Sequence, residues 1–236
     1  MRFDDPNSGE VGVRRPRSRT VPALWGAALV AVAAAVAGPM AAAWAVTEPT
    51  NDAITPTDNY HEDCAKGLAS DTVCQTDNAT VTYYMDSSGE YELESGDRSI
   101  VVAAMARYRD NTTSLTISYD SSPSFSGTSE TDVIYQEGDF GLSDNVSGVT
   151  WCDDPVDGTT KKCDQSYIRM RGAGRINAKV ATHETGHAFG LLHGNRWAPA
   201  RDVCADILGV MRAAESCMDG PGLGDAVINN INWVYR

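Results

Sequence analysis

The hydrophobic positions of the chain follow two periods from residue 79 onward. Alternation of apolar with polar residues is the period of a half-buried strand, and apolar residues three or four apart are the period of a packed helix. Strands are predicted around residues 81–85, 115–119, 133–135, 149–151 and 167–170, and helices over residues 99–109, 175–190 and 225–234. Because strands and helices alternate along the chain, the pattern predicts a layered α/β domain over residues 79–236.

The segment before residue 79 follows neither period. Four arginines between residues 14 and 19 precede a run of 26 residues, 21–46, without a charge. A basic cluster, an apolar run and small residues at Ala43 and Ala45 predict a signal peptide over residues 1–45, cleaved after Ala45. The alternative is an uncleaved anchor, because the apolar run exceeds the roughly 20 residues that span a bilayer. Residues 46–78, rich in Thr, Pro, Asp and Asn, are predicted to be a flexible lead-in or a short prosegment.

Charge and cysteine content narrow the class of protein. The chain has 19 basic and 32 acidic residues, a net charge of -13, which argues against binding to nucleic acid or an anionic bilayer. We expect no stable membrane association once the signal is cleaved, and a secreted, extracellular protein. All six cysteines follow residue 45, and an even number in an exported chain favours disulfides. The simplest local pairing is Cys64 with Cys74, Cys152 with Cys163 and Cys204 with Cys217, although spacing alone leaves other pairings open.

Three of the four histidines lie within residues 183–193, which spell HETGHAFGLLH and match the pattern HExxHxxGxxH. His183 and His187 are about one helical turn apart on one face, so both imidazoles can reach one metal ion. If the helix continued, His193 would lie about 15 Å from His183 along the axis, far outside a zinc coordination sphere. The helix is therefore predicted to end at Gly190, where glycine allows a left-handed turn that returns His193 to the metal.

Three histidine ligands leave one position of a tetrahedral zinc ion open, which is typical of catalytic sites and not of structural ones. We therefore predict one catalytic Zn²⁺ held by His183, His187 and His193. Glu184 follows the first ligand and is the candidate general base for a zinc-activated water.

On these residues the chain resembles the metzincin zinc endopeptidases, whose hallmark is this motif followed by a methionine in a tight turn beneath the metal. Met211 and Met218 are the two candidates for that methionine. A closer resemblance to the snapalysins, small secreted neutral proteases, favours Met211, which a Cys204–Cys217 disulfide would enclose. The chain differs from the snapalysins in having His193, where they have aspartate. It differs from astacin-like members in lacking the tyrosine two residues after the methionine, where Ala213 stands.

The resemblance implies an α+β or α/β fold of the metzincin type. In this fold a twisted, mostly parallel sheet of about five strands carries an antiparallel edge strand. The active-site helix ends at Gly190, and a C-terminal helix packs on the body. A polypeptide substrate would lie antiparallel along the edge strand, which the resemblance maps to residues 147–151.

The sequence thus predicts a secreted zinc endopeptidase that hydrolyses peptide bonds in polypeptide substrates. Two alternatives stay open: a secreted binding module that keeps zinc for stability, and a zinc hydrolase acting on a non-protein amide such as a cell-wall linkage. The acidic residues Asp139, Asp144, Asp153, Asp154 and Asp157 are candidates for a structural Ca²⁺ site, with a plain acidic surface as the alternative.

Overall fold

The sheet at the centre of the molecule is mostly parallel. In the computed structural model the described residues are 51–57, 64, 66–68, 73–127, 129–139, 142–143, 145–156, 162–213, 215–217 and 219–236. Within them the strands are β1 (Gln75–Thr76), β2 (Thr80–Met85), β3 (Thr116–Tyr119), β4 (Val133–Glu137), β5 (Gly148–Pro155) and β6 (Lys162–Met170). Their order is β1-β6-β4-β2-β3, with β5 added antiparallel to β6. The predicted signal peptide, residues 1–45 with cleavage after Ala45, lies outside the described residues.

Strand β5 is an edge strand that pairs with one side of β6. Residues 166–170 of β6 pair in parallel with β4 and, on their other side, antiparallel with residues 148–152 of β5. The predicted fold class, a mostly parallel sheet with an antiparallel edge strand, is confirmed. The pattern missed β1, because a strand of two residues is too short to show a period.

Three α-helices complete the fold in the described part of the chain: α1 (Ser95–Asn111), α2 (Ala178–Ala188) and α3 (Asp225–Val234). Helices α1 and α2 contact each other and the sheet, with the Tyr108 and Phe189 rings 5.0 Å apart between their centroids. The predicted start of α2 was three residues early, because the Asn177 side chain accepts hydrogen bonds from the amides of Lys179 and Val180 and so caps the helix. Gly224 is the N-cap residue of α3, which begins at Asp225 as predicted.

Residues 51–57 lie in the core, which differs from the expectation of a flexible lead-in. Ala53 and Ile54 are fully buried, and Ile54 forms an antiparallel bridge with Leu191. The Thr55 amide donates to the Gly190 carbonyl at 2.9 Å, and the Leu192 amide donates to the Ala53 carbonyl at 2.8 Å. A short polar segment can be buried in this way when its backbone groups find partners, which hydropathy does not reveal. We name residues 51–57 the N-terminal clasp.

The six cysteines form disulfides between Cys64 and Cys74, Cys152 and Cys163, and Cys204 and Cys217. These are the three pairs that the local spacing predicts. Among the described residues, no helix has both the length and the apolar character needed to cross a membrane.

Candidate active site

Helix α2 carries two of the three motif histidines and is anchored to its surroundings by hydroxyl groups. The Tyr108 hydroxyl donates to the Thr182 carbonyl at 2.9 Å, and the Tyr135 and Thr185 hydroxyls lie 2.6 Å apart. These contacts bind α2 to α1 and to strand β4. The rotation of α2 about its axis is thereby set, and with it the direction of the His183 and His187 side chains.

The helix ends as the glycine in the motif predicts. Gly190 has a φ of 83°, its amide donates to the His187 carbonyl at 2.9 Å, and the Leu191 amide donates to the Gly186 carbonyl at 3.0 Å. This pair of hydrogen bonds is the Schellman arrangement, in which a left-handed residue satisfies the last helical carbonyls. After Gly190 the chain pairs with the N-terminal clasp and then reaches His193.

The three histidines converge on one point. The Nε2 atom of His183 is 3.0 Å from Nε2 of His187 and 3.0 Å from Nε2 of His193, and the third separation is 3.2 Å. Tetrahedral zinc with Zn–N distances of about 2.1 Å sets its ligand nitrogens about 3.4 Å apart. The spacing of the three nitrogens is therefore close to that of a zinc site.

The protonation of the rings also suits a cation. His183 Nδ1 donates to the Val210 carbonyl at 2.7 Å, and His187 Nδ1 donates to the Leu191 carbonyl at 2.6 Å. In the neutral form both Nε2 atoms then lack a hydrogen and point lone pairs at each other, so they cannot hydrogen-bond together. Burial lowers the pKa of His187 well below its usual range and that of His193 to about 4, with a smaller effect of His183. The residues present therefore fit a bound Zn²⁺.

Glu184 lies beside these ligands and is 6% exposed. Its Oε2 atom is 2.8 Å from the hydroxyl of Thr150 on β5. Burial raises the pKa of the Glu184 carboxyl, and the neighbouring His183 and the Thr150 hydroxyl partly oppose that rise. The buried carboxyl therefore has a higher proton affinity than an exposed one.

Met211 lies beneath α2 in a tight turn, where its amide donates to the Leu208 carbonyl at 2.9 Å. The residue is fully buried, and its sulfur lies against Gly186, so that a Cβ at position 186 would overlap it. The same turn supplies the Val210 carbonyl that orients His183. Met218, the other candidate, lies outside the described residues.

A cavity of about 540 Å³ contains the three histidines and Glu184. Residues 145–150, which lead into β5 and form its first half, line one wall, and Val180, Leu192 and Ala213 are among the residues that line the rest. In the described part of the chain, the backbone of residues 148–151 pairs with β6 alone. An edge with free backbone groups therefore runs directly beside the histidines.

Sequence reasoning missed several contributors to this site. Thr150 and Gly148 contact Glu184, and the carbonyls of Val210 and Leu191 orient two histidines. For Gly148 and Thr150 the only signal in the sequence is the predicted edge strand, residues 147–151. For the two carbonyls there is none, because backbone groups leave no trace in a sequence pattern.

Nothing in the described residues supports the calcium site. Asp144 and Asp157 lie outside them, Asp139 pairs with Arg171 at 3.2 Å, and Asp154 is 3.9 Å from Lys66 Nζ. The described residues contain two groups able to hold a metal, the His183, His187 and His193 set and a Cys64, Cys74 and Cys152 set. The cysteines are engaged in disulfides, so the histidines are the metal site that the fold offers.

No protein-family model matches the chain, and no curated protein matches it. Matching solved structures include high choriolytic enzyme 1, a hatching enzyme zinc-protease from the medaka fish Oryzias latipes. That chain is 12% identical, and the match covers 74% of this chain and 98% of the other at a TM-score of 0.41. A likeness this distant assigns no activity, so the relation to the metzincins remains a resemblance carried by the motif.

Proposed function

We propose that the protein is a secreted zinc endopeptidase of the metzincin type, with His183, His187 and His193 as zinc ligands and Glu184 as general base. The observation that carries this proposal is the convergence of three Nε2 atoms within 3.0–3.2 Å in the cavity that also contains Glu184. A purely structural zinc site is typically closed by four protein ligands. Here the described residues offer three, and the cavity beside them has room for a substrate.

Zinc and Glu184 have different roles in the proposed reaction. When bound, zinc supplies Lewis acidity, which lowers the pKa of water and polarises a carbonyl group. Glu184 takes a proton from the attacking water and delivers it to the leaving amine nitrogen. Burial raises the pKa of the Glu184 carboxyl, which favours the first step, the acceptance of a proton from water.

Strand β5 is the proposed substrate-binding edge. Its residues 148–151 line the cavity or lie next to it, and their outward backbone groups are available to an extended peptide. Added strands bind through main-chain hydrogen bonds, which any polypeptide can make. This supports a protein substrate over a small amide, and leaves side-chain preference to the cavity walls.

Export is part of the proposal. Three disulfides suit an oxidising compartment, and residues 1–45 have the order of a secretory signal. We place the start of the folded enzyme at or before residue 51, because the N-terminal clasp pairs with the segment that carries His193. We assign to Met211 the role of supporting α2, the helix with two of the metal ligands, through the contact of its sulfur with Gly186.

The test is casein digestion by protein recovered from the culture medium, with bound metal measured in the same sample. We expect about one zinc per chain and cleavage that a chelator abolishes. Glu184→Gln should retain zinc and lose at least about a hundredfold in rate, the usual scale of general-base catalysis. Glu90→Gln, which changes a carboxylate outside the cavity, should cleave as the wild type does.

Two outcomes would contradict the proposal. If the wild type binds zinc, leaves casein intact and releases fragments from cell walls, the non-protein amide hydrolase is correct. If it binds zinc and Glu184→Gln changes no measurable activity on either substrate, the zinc-containing binding module is correct.

A further inference from the structure

The edge strand contributes more to the site than a surface for substrate. Residues 148 and 150 are two apart on β5 and therefore project to the same face of the sheet. That face meets α2 at Glu184, which contacts both residues. Both residues line the cavity, and Thr150 has its hydrogen bond within the site to Glu184.

The Thr150 hydroxyl lies within hydrogen-bonding distance of two oxygens of Glu184. Its hydroxyl oxygen is 2.8 Å from the carboxylate Oε2 and 3.0 Å from the backbone carbonyl of the same residue. A hydroxyl has one proton, so it donates to one of these oxygens at a time. Thr150 is 6% exposed, which shields the contact from competing water.

Gly148 provides the space in which the Glu184 side chain lies. A Cβ atom at position 148 would be 2.8 Å from Cγ, 2.9 Å from Oε1 and 3.0 Å from Cδ of Glu184. These distances are shorter than van der Waals contact, so any side chain at position 148 would displace the carboxylate. The three nearest atoms all belong to the Glu184 side chain and none to a backbone, so rotation of that side chain can relieve the overlap.

We propose that Gly148 and Thr150 are positioning residues that hold the Glu184 carboxylate in its reactive orientation. Thr150 tethers Oε2, while Oε1 accepts no hydrogen bond from a described residue and is the oxygen left for proton transfer. This inference rests on the proposed role of Glu184 as general base. It adds that one strand, β5, contacts both the proposed substrate path and the Glu184 carboxylate on α2, so it positions the substrate and the base together.

The test uses Thr150→Val, Thr150→Ser and Gly148→Ala in the full chain, with Thr116→Val on the far edge of the sheet as the matched control. We expect Thr150→Val and Gly148→Ala to lower kcat about ten- to a hundredfold, the scale of a misplaced catalytic group. KM should change by less than about threefold, because no substrate contact is removed by the Thr150 change. Thr150→Ser keeps the hydroxyl and should restore kcat to within about threefold of wild type.

Two further readouts separate positioning from general damage. Zinc content and the thermal midpoint of Gly148→Ala should stay close to the wild-type values, because the overlap is with one side chain and not with the backbone. Crystal structures of Thr150→Val and Gly148→Ala should show the Glu184 carboxylate rotated from its wild-type position. That structural readout does not depend on turnover, so it tests the inference even if the proposed peptidase activity fails.

The inference is overturned if Thr150→Val keeps wild-type kcat, or if the Glu184 carboxylate stays in place in both variant structures. It is equally overturned if Thr150→Ser is as impaired as Thr150→Val. A wild-type protein that binds zinc but cleaves nothing would instead overturn the proposed function, leaving the carboxylate position in the variant crystals to decide the role of Gly148 and Thr150.

Discussion

Asn230 on α3 holds the N-terminal clasp and through it the third histidine. Its Oδ1 atom accepts hydrogen bonds from the amides of Asp52 at 2.9 Å and Ala53 at 3.1 Å. Asn230 is 4% exposed and Ala53 is fully buried. The clasp in turn pairs with residues 190–192, which immediately precede His193.

Replacing Asn230 with alanine leaves two buried amides without an acceptor. Each unsatisfied buried donor costs about 1–3 kcal/mol, so the two together cost about 2–6 kcal/mol. Alanine is the better helix former by about 0.5 kcal/mol, and some relaxation of the clasp reduces the loss further. We expect Asn230→Ala to lower the free energy of unfolding by about 2–4 kcal/mol. Zinc affinity should fall about tenfold, as for other groups that orient ligands indirectly.

The assay is urea unfolding followed by circular dichroism, together with zinc competition against a chromogenic chelator. Asn232→Ala is the matched control, because Asn232 lies on the same helix and accepts a bond from the Thr113 amide at an exposed position. It should lower the free energy of unfolding by less than about 1 kcal/mol, since water can replace the lost acceptor. The reasoning is refuted if the two variants agree within about 0.5 kcal/mol or if Asn230→Ala binds zinc as the wild type does.

Two other predictions concern stability. Burial raises the pKa of Asp132 to about 6, with the Thr82 hydrogen bonds opposing the rise, so the folded protein holds a proton that the unfolded chain releases near pH 4. The stability that this group contributes is present below pH 4 and is lost as pH rises to about 6, a decline of about 2–3 kcal/mol in the free energy of unfolding. Asp132→Asn should remove that decline. Parallel curves of stability against pH for the two proteins would contradict the prediction. Gly190→Ala should cost at least about 3 kcal/mol and reduce zinc content, because φ is 83° and a Cβ would lie 2.7 Å from the Gln75 nitrogen. Gly89→Ala, at a φ of 85° with no atom within 4 Å, should cost only about 1 kcal/mol, and equal losses would show that the contact with Gln75 is unimportant.

Much of the fold could be predicted because its strands and helices have a local period. Val81, Tyr83 and Met85 alternate with polar residues and are buried on the helix-covered face of the sheet. The turn after α2 was predictable too, since Gly190 is the one residue between His187 and His193 that adopts a left-handed conformation without steric cost. In such cases the information lies within a few residues, and the physical rule is short-range.

The N-terminal clasp shows where this reasoning fails. Asn51 and Asp52 are polar yet buried, and the partner of their segment is Asn230, 178 residues from Asp52. Hydropathy assigns such residues to the surface, because it does not register that distant backbone and side-chain groups satisfy their hydrogen bonds. The burial of this segment was therefore decided by tertiary contacts.

The residues of the candidate site could be predicted from the sequence, because helix geometry relates His183 to His187 and the glycine at position 190 allows the turn that returns His193. How those residues are held depends on contacts that form in the folded protein. The carbonyls that orient two histidines, and the Thr150 hydroxyl and Gly148 backbone that enclose Glu184, come from segments distant in the chain. Ligand spacing depends on one helix and the turn that ends it, whereas the orientation of each side chain depends on packing between elements that meet only in the folded state.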